Sequence, residues 1–151
     1  KCGEVDVLQE SFSMLTQGNV KAHLPICKEH GISFEAYAPL EKGLLSGNLR
    51  MDYVIPDATN VRNNVPWFAP ERRQKVLDML DGWKPLCGKY NCTQAALSVA
   101  WTANYDPSVF VISGGRKWSH MESYIQGGKI VLEKADFDKM SKDIDHLLAQ
   151  Y

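Results

Sequence analysis

A strand, a helix and a second strand follow one another before residue 38, and this order constrains the fold more than any other feature of the chain. Residues 4–8 (E-V-D-V-L) alternate, the period of a half-buried strand, and lead into Gln9-Glu10-Ser11-Phe12 as a loop. Asn19 stands at a helix-cap position. Val20, Leu24 and Cys27 then recur at i, i+4 and i+7, and Gly31 stops the helix after His30. Residues 32–37 (I-S-F-E-A-Y) read as a second strand, broken by Pro39. A helix between two strands is the connection that parallel neighbours require, so the two strands are expected to lie parallel.

The rest of the chain extends the alternation. Residues 41–70 hold three prolines and little periodicity, and form a long loop of the kind that usually serves a function. A helix resumes at Pro70, with Val76, Leu80, Trp83 and Cys87 marking one face. Thr93 caps another helix that carries Leu97, Ala100 and Trp101. Residues 109–113 are the third strand, and residues 118–126 a helix ended by Gly127-Gly128. Phe137, Met140, Ile144, Leu147 and Leu148 stripe a final amphipathic helix over 136–150.

The class is α/β, with a parallel sheet and helices packed outside it. A dinucleotide-binding Rossmann sheet is disfavoured because no G-x-G-x-x-G follows any strand. A (β/α)8 barrel needs eight strands, and three cannot close one. The chain is then an open three-stranded sheet or a portion of something larger.

Composition narrows the partners. With 151 residues, 44% of them apolar, the chain has the material for one core. Seventeen basic against eighteen acidic residues leave a net charge of −1, which excludes nucleic acid and an anionic membrane as default partners. No apolar run reaches the roughly 18 residues of a membrane helix. The cysteines at 2, 27, 87 and 92 form no C-x-x-C pair and no zinc-ligand spacing. They read as reduced thiols of a cytoplasmic protein, with no metal site.

Four motifs carry a more specific signal. Tyr37-Ala38-Pro39-Leu40 followed by Gly43-Leu44-Leu45-Ser46-Gly47 resembles the Y-S-P-L-x-x-G-L-L-T-G segment of the aldo-keto reductases. Val5-Asp6-Val7-Leu8-Gln9 with Phe12-Ser13 is similar to that family's sixth strand. Thr93-Gln94-Ala95-Ala96-Leu97 with Trp101 is similar to its T-x-x-Q/A-x-A-L-x-W helix. Val111-Ile112-Ser113-Gly114-Gly115-Arg116 is similar to the V-I-P-G-A-R turn after the eighth strand.

The resemblance implies the C-terminal portion of a (β/α)8 TIM barrel, contributing strands six to eight as one segment over 1–151, incomplete as a barrel on its own. It also implies that residues 41–70 are a cofactor-side loop. The family binds NADP(H) across the C-terminal strand ends and reduces aldehydes or ketones by hydride transfer. Its catalytic tyrosine, lysine, aspartate and histidine belong to the first half of the barrel. They are expected upstream of Lys1, so no catalytic residue is assigned here and the chain alone is expected to be inactive. Its expected partners are the N-terminal part of the barrel or a second copy of itself, with a small carbonyl substrate in the complete enzyme.

Cofactor contacts are carried over residue by residue. Gln9 has an amide that can both donate to and accept from a nicotinamide carboxamide. Tyr37 offers a flat ring for stacking on the nicotinamide, worth about 0.5–1.5 kcal/mol beyond burial. Ala38, Pro39, Leu40, Gly43 and Leu45 form the loop at the pyrophosphate, where glycine lets backbone amides approach closely. Gly114, Gly115 and Arg116 follow the third strand, and a guanidinium before a helix N-terminus suits a 2′-phosphate. His120 stands where many relatives carry glutamine or arginine.

The departures bear on cofactor choice. Ser123 and Tyr124 replace the usual Glu-Asn pair at the adenine edge, and Tyr124 offers stacking instead. Ser113 replaces a proline and Ala38 a serine, which leaves the preference between NADPH and NADH open. The alternative function is a non-catalytic NADP(H)-binding or regulatory module resembling a potassium-channel β subunit.

Overall fold

The computed structural model describes residues 3–151; Lys1 and Cys2, one of the four cysteines, lie outside them. Strands β1 (Val7–Ser11), β2 (Ser33–Tyr37) and β3 (Val109–Val111) form one parallel sheet in the order β1-β2-β3. Leu8 pairs with Phe34, which pairs with Val109, and Gln9 pairs with Glu35, which pairs with Phe110.

Strand β1 starts and ends later than the alternation of residues 4–8 suggests. Gln9, Glu10 and Ser11 belong to the strand and not to a loop, because backbone pairing with β2 continues to the bond from Phe12 N to the Tyr37 carbonyl (3.1 Å). Pairing register decides which side chains face the helices, since successive residues point to opposite faces. Phe34, Ala36 and Val109 are buried on the helix side, with Leu8 and Val111 packed against the same core. The other face carries Val7, Gln9, Glu35, Tyr37 and Phe110, and Val7, Tyr37 and Phe110 are exposed. Val7 therefore lies on the opposite face of the sheet from Phe34, Val109 and Val111.

Helix α1 (Gly18–His30) buries Val20, Leu24 and Cys27, and Gly31 closes it in the left-handed conformation at φ 68°. Its cap position is held by Gln17, and the Asn19 amide donates instead to Glu10 (3.0 Å). Helices α2 (Pro70–Gly82) and α3 (Lys84–Lys89) meet at the fully buried Trp83. Helix α4 (Gln94–Ala103) is buried continuously from Ala95 to Thr102, and the Thr93 hydroxyl accepts from Ala96 N at 3.1 Å. Such a cap is worth about 1 kcal/mol.

Helix α5 (Trp118–Lys129) runs through Gly127 and Gly128 and does not end before them. Gly127 lies inside the helix for a packing reason: a Cβ there would stand 2.5 Å from the Ala96 carbonyl oxygen and 2.8 Å from Val99 Cβ. Helix α6 (Lys134–Leu148) begins two residues before the expected segment and ends two before its close, burying Met140, Ile144 and Leu147. Trp101 joins α4 to α6: its ring stacks on Phe137 (5.7 Å, 9°) and its Nε1–H donates to Ser141 (3.0 Å). Three short 3-10 turns (Glu41–Ser46, Val61–Asn64, Pro66–Phe68) punctuate the long segment between β2 and α2. Among the described residues no helix is long and apolar enough to cross a membrane.

Candidate functional site

The chain turns sharply as it leaves β2. Ala38, Glu41 and Lys42 adopt positive φ (57°, 45° and 52°), and Gly43 and Gly47 follow at 96° and 77°. A left-handed residue other than glycine costs roughly 1–2 kcal/mol, so this loop persists only because its surroundings hold it. Gly47 has a second reason to be glycine, since a Cβ there would meet Gln94 Cβ at 2.6 Å.

This loop forms one wall of a cleft of about 990 Å³. The opposite wall comes from the residues after β3 and the start of α5, and the N-terminal end of α4 contributes Thr93, Gln94 and Ala95. Four cationic side chains line it: Lys42, Arg62, Arg116 and Lys117. Among the described residues no aspartate or glutamate does. In a chain of net charge −1 this is a concentration of one sign, the arrangement that draws an anion. Two buried polar atoms of lining residues, Gln94 Nε2 and Ser113 Oγ, have no hydrogen-bond partner among the described residues. Such atoms are rarely left unsatisfied and mark the cleft as a place for a polar ligand.

Arg62 is the most constrained of the four cations. Its Nε and Nη2 donate to the Lys42 carbonyl (3.0 and 2.8 Å) and its Nη1 donates to the Tyr53 hydroxyl (2.9 Å). The guanidinium also lies 5.6 Å from the Tyr53 ring centre and 5.7 Å from that of Phe68. His120 and Tyr124 sit together on α5, ring centres 6.5 Å apart, and burial raises the Tyr124 phenol above its ordinary range. Behind the cleft, Cys87 Sγ donates to Gln94 Oε1 at 3.3 Å, which orients that amide.

Of the residues singled out in the sequence, Ala38, Pro39, Leu40, Gly43, Gly114, Arg116, His120 and Tyr124 line the cleft. Leu45 does not: its side chain is wholly buried in the core. Gly115 turns toward Met121 and His120, whose side-chain atoms would stand 2.9 and 3.1 Å from a Cβ there. Gln9 and Tyr37 lie on the open face of the sheet, where the Gln9 amide donates to Glu35 (2.8 Å). Lys42, Arg62, Gln94 and Lys117 are additional lining residues. Gln94 stood within the helix motif, whereas Arg62 sits in the aperiodic stretch with no spacing to mark it.

The sequence profile of the Aldo/keto reductase family matches residues 3–145. The chain is 37% identical over 134 residues to the NADH-specific methylglyoxal reductase of Escherichia coli K12, covering 89% of this chain and 40% of that one. It is 25% identical over 127 residues to a probable voltage-gated potassium channel subunit beta of Arabidopsis thaliana, covering 83% and 39%. Among solved structures, the glycerol dehydrogenase of Gluconobacter oxydans matches with a TM-score of 0.80 at 24% identity, over 95% of this chain and 42% of the other. That last likeness carries the fold alone. The chain thus spans about two fifths of the length of these relatives. It belongs to the aldo-keto reductase family, and its three parallel strands with their helices are a portion of a (β/α)8 barrel.

Proposed function

We propose that this chain carries the cofactor-binding part of a carbonyl reductase, with NADP(H) as the dinucleotide and an aldehyde or ketone as substrate. Aldo-keto reductases use nicotinamide cofactors, and the cleft fits one. The observation that carries this reading is the pairing of four cations and no carboxylate with two orphaned buried donors. The loop from Ala38 to Gly43 and Arg62 would hold the pyrophosphate; Arg116 and Lys117 would hold the 2′-phosphate; Tyr124 and His120 would flank the adenosine. Gln9 and Tyr37, on the face that a completed barrel encloses, would orient the nicotinamide. When bound, the cofactor supplies the hydride. These residues bind and orient; the proton donor to the carbonyl oxygen belongs to residues outside this sequence. The partner is then the remainder of the barrel, or another copy of the chain, and the free thiols of Cys27, Cys87 and Cys92 suit the cytoplasm.

The similarity to a potassium-channel β subunit supports a second reading, a dinucleotide-binding module without turnover. Titration of the purified protein with NADPH and NADH, followed by tryptophan quenching, tests the binding claim. Saturable binding of NADPH that weakens in Arg116→Ala supports it, and no binding of either dinucleotide sinks it. Addition of methylglyoxal to the NADPH-loaded protein together with the rest of its barrel separates the two readings, since only the reductase consumes NADPH.

A further inference from the structure

The carboxylate of Glu41 is 3% exposed and has hydroxyl partners but no ion-pair partner among the described residues. Its Oε1 accepts from Ser13 Oγ and from Thr16 Oγ1, each at 2.6 Å. A carboxylate buried without a counter-charge is costly, and the cost calls for a compensating role. We infer that Glu41 is a positioning residue that, clamped by Ser13 and Thr16, holds the loop of residues 38–47 in the shape that forms the cofactor cleft. This rests on the cofactor reading above.

The anchor is rigid. Ser13 and Thr16 exchange two backbone hydrogen bonds (3.1 and 3.2 Å) in the turn after β1. The Ser13 hydroxyl oxygen also accepts from the backbone of Leu15 and of Thr16, both at 3.1 Å. Its lone pairs are occupied, so its proton is directed to Glu41. The loop, by contrast, holds Ala38, Glu41 and Lys42 at positive φ, conformations that survive only where neighbours enforce them. Glu41 ties this loop to the turn after β1, while Arg62 holds it by two bonds to the Lys42 carbonyl. Lys42 and Gly43, which directly follow Glu41, line the cleft; Glu41 does not. Its influence on a ligand must therefore pass through the loop.

Hydrogen exchange reads the loop without any ligand. The amides of Gly43 and Leu45 both donate to the Leu40 carbonyl, at 2.9 and 3.1 Å. In Glu41→Ala they should exchange about tenfold faster or more, with the amides of α4 unchanged. Affinity for NADPH and for NADH should fall together by about tenfold, leaving their ratio intact, because the loop serves what the two cofactors share. Glu41→Gln keeps an acceptor oxygen and should restore both readouts to within about threefold of the wild type. Combining Ser13→Ala with Thr16→Val should reproduce Glu41→Ala, and adding Glu41→Ala to that pair should change nothing further. Unchanged protection at Gly43 and Leu45, or protection lost equally from α4, would overturn the inference, as would failure of Glu41→Gln to rescue. If Glu41→Ala does not fold, the Gln variant and the hydroxyl pair still decide. If the wild type binds neither dinucleotide, the cofactor reading falls, while the exchange rates still test the clamp.

Discussion

The phenol of Tyr90 donates to the carboxylate of Asp136 at 2.6 Å, fastening the end of α3 to the first turn of α6. Lys89 donates to the same oxygen at 2.7 Å. These two bonds, that of Lys89 first, hold the Asp136 carboxyl below the ordinary carboxylate range. A group with a depressed folded pKa stabilises fully above its unfolded value, near pH 3.9, and loses that contribution as pH falls through the folded value. Asp136→Asn should cost about 1 kcal/mol at pH 7, a modest figure because solvent screens the cluster. Urea denaturation at pH 7 and at pH 2 checks this. The gap between wild type and variant should narrow at pH 2, and a gap that widens on acidification would contradict the assignment.

Gly127→Ala puts a methyl into backbone. The new Cβ would lie 2.5 Å from the Ala96 carbonyl oxygen, and a backbone carbonyl in the first turn of the buried α4 cannot swing aside as a flexible side chain could. Overpacking of this kind typically costs about 1–3 kcal/mol, which outweighs the helix propensity gained. Gly128→Ala is the internal control, because a Cβ there meets nothing within 4 Å. Thermal melts should show a loss for Gly127→Ala and none, or a gain, for Gly128→Ala.

How far the fold could be read in advance depended on whether helices or pairing decided the answer. Val20, Leu24 and Cys27, or Met140, Ile144 and Leu147, announce their helices because a 3.6-residue period needs no partner to be recognised. Strand β1 is different: E-V-D-V-L alternates, yet its pairing with β2 places Val7 outward and Leu8 inward. A register set by a second strand is invisible in the first. Gly127 is ambiguous for a related reason, since a glycine that ends a helix and one that lets two helices touch look alike in sequence. At the cleft, Gly43, Gly114 and Arg116 were marked by their motifs. Arg62 enters only when distant segments meet, and its bonds to the Lys42 carbonyl have no spacing to read.

Arg116 should separate the two dinucleotides. It lines the cleft beside Lys117 at the start of α5, where a helix N-terminus also favours an anion. Removing a charge-assisted hydrogen bond costs about 1.5–3 kcal/mol. Arg116→Ala should weaken NADPH by that amount and leave NADH nearly unchanged in a fluorescence titration. Equal losses for the two would make Arg116 a structural residue.

Turnover should be absent from the chain by itself. Its cleft supplies cations, amides and hydroxyls for binding, but the proton that neutralises a developing alkoxide needs a positioned acid near the hydride acceptor. Purified, mass-verified 151-residue protein with NADPH and methylglyoxal should show no decline in absorbance at 340 nm beyond the blank (about the usual reduced-nicotinamide band). Steady consumption would place a proton donor within these residues.

Association is the last expectation, and it follows from the sheet. Among the described residues β1 and β3 each pair on one side only, so two strand edges remain open. The face away from the helices carries exposed Val7, Tyr37 and Phe110, with Ile112 just beyond β3 also exposed. Unpaired edges recruit further strands, and an apolar face of this kind seeks cover. Polar Gln9 and Glu35 sit among these side chains, joined by a 2.8 Å hydrogen bond, so the face is less apolar than a core and the association should be moderate in strength. Light scattering at micromolar concentration should give a mass above the 17.0 kDa of one chain, and addition of the remainder of the barrel should replace the self-associated species with a one-to-one complex of the two parts. A sharp 17.0 kDa species that unfolds cooperatively would instead mean that the open sheet stands alone, with its exposed face stable in water.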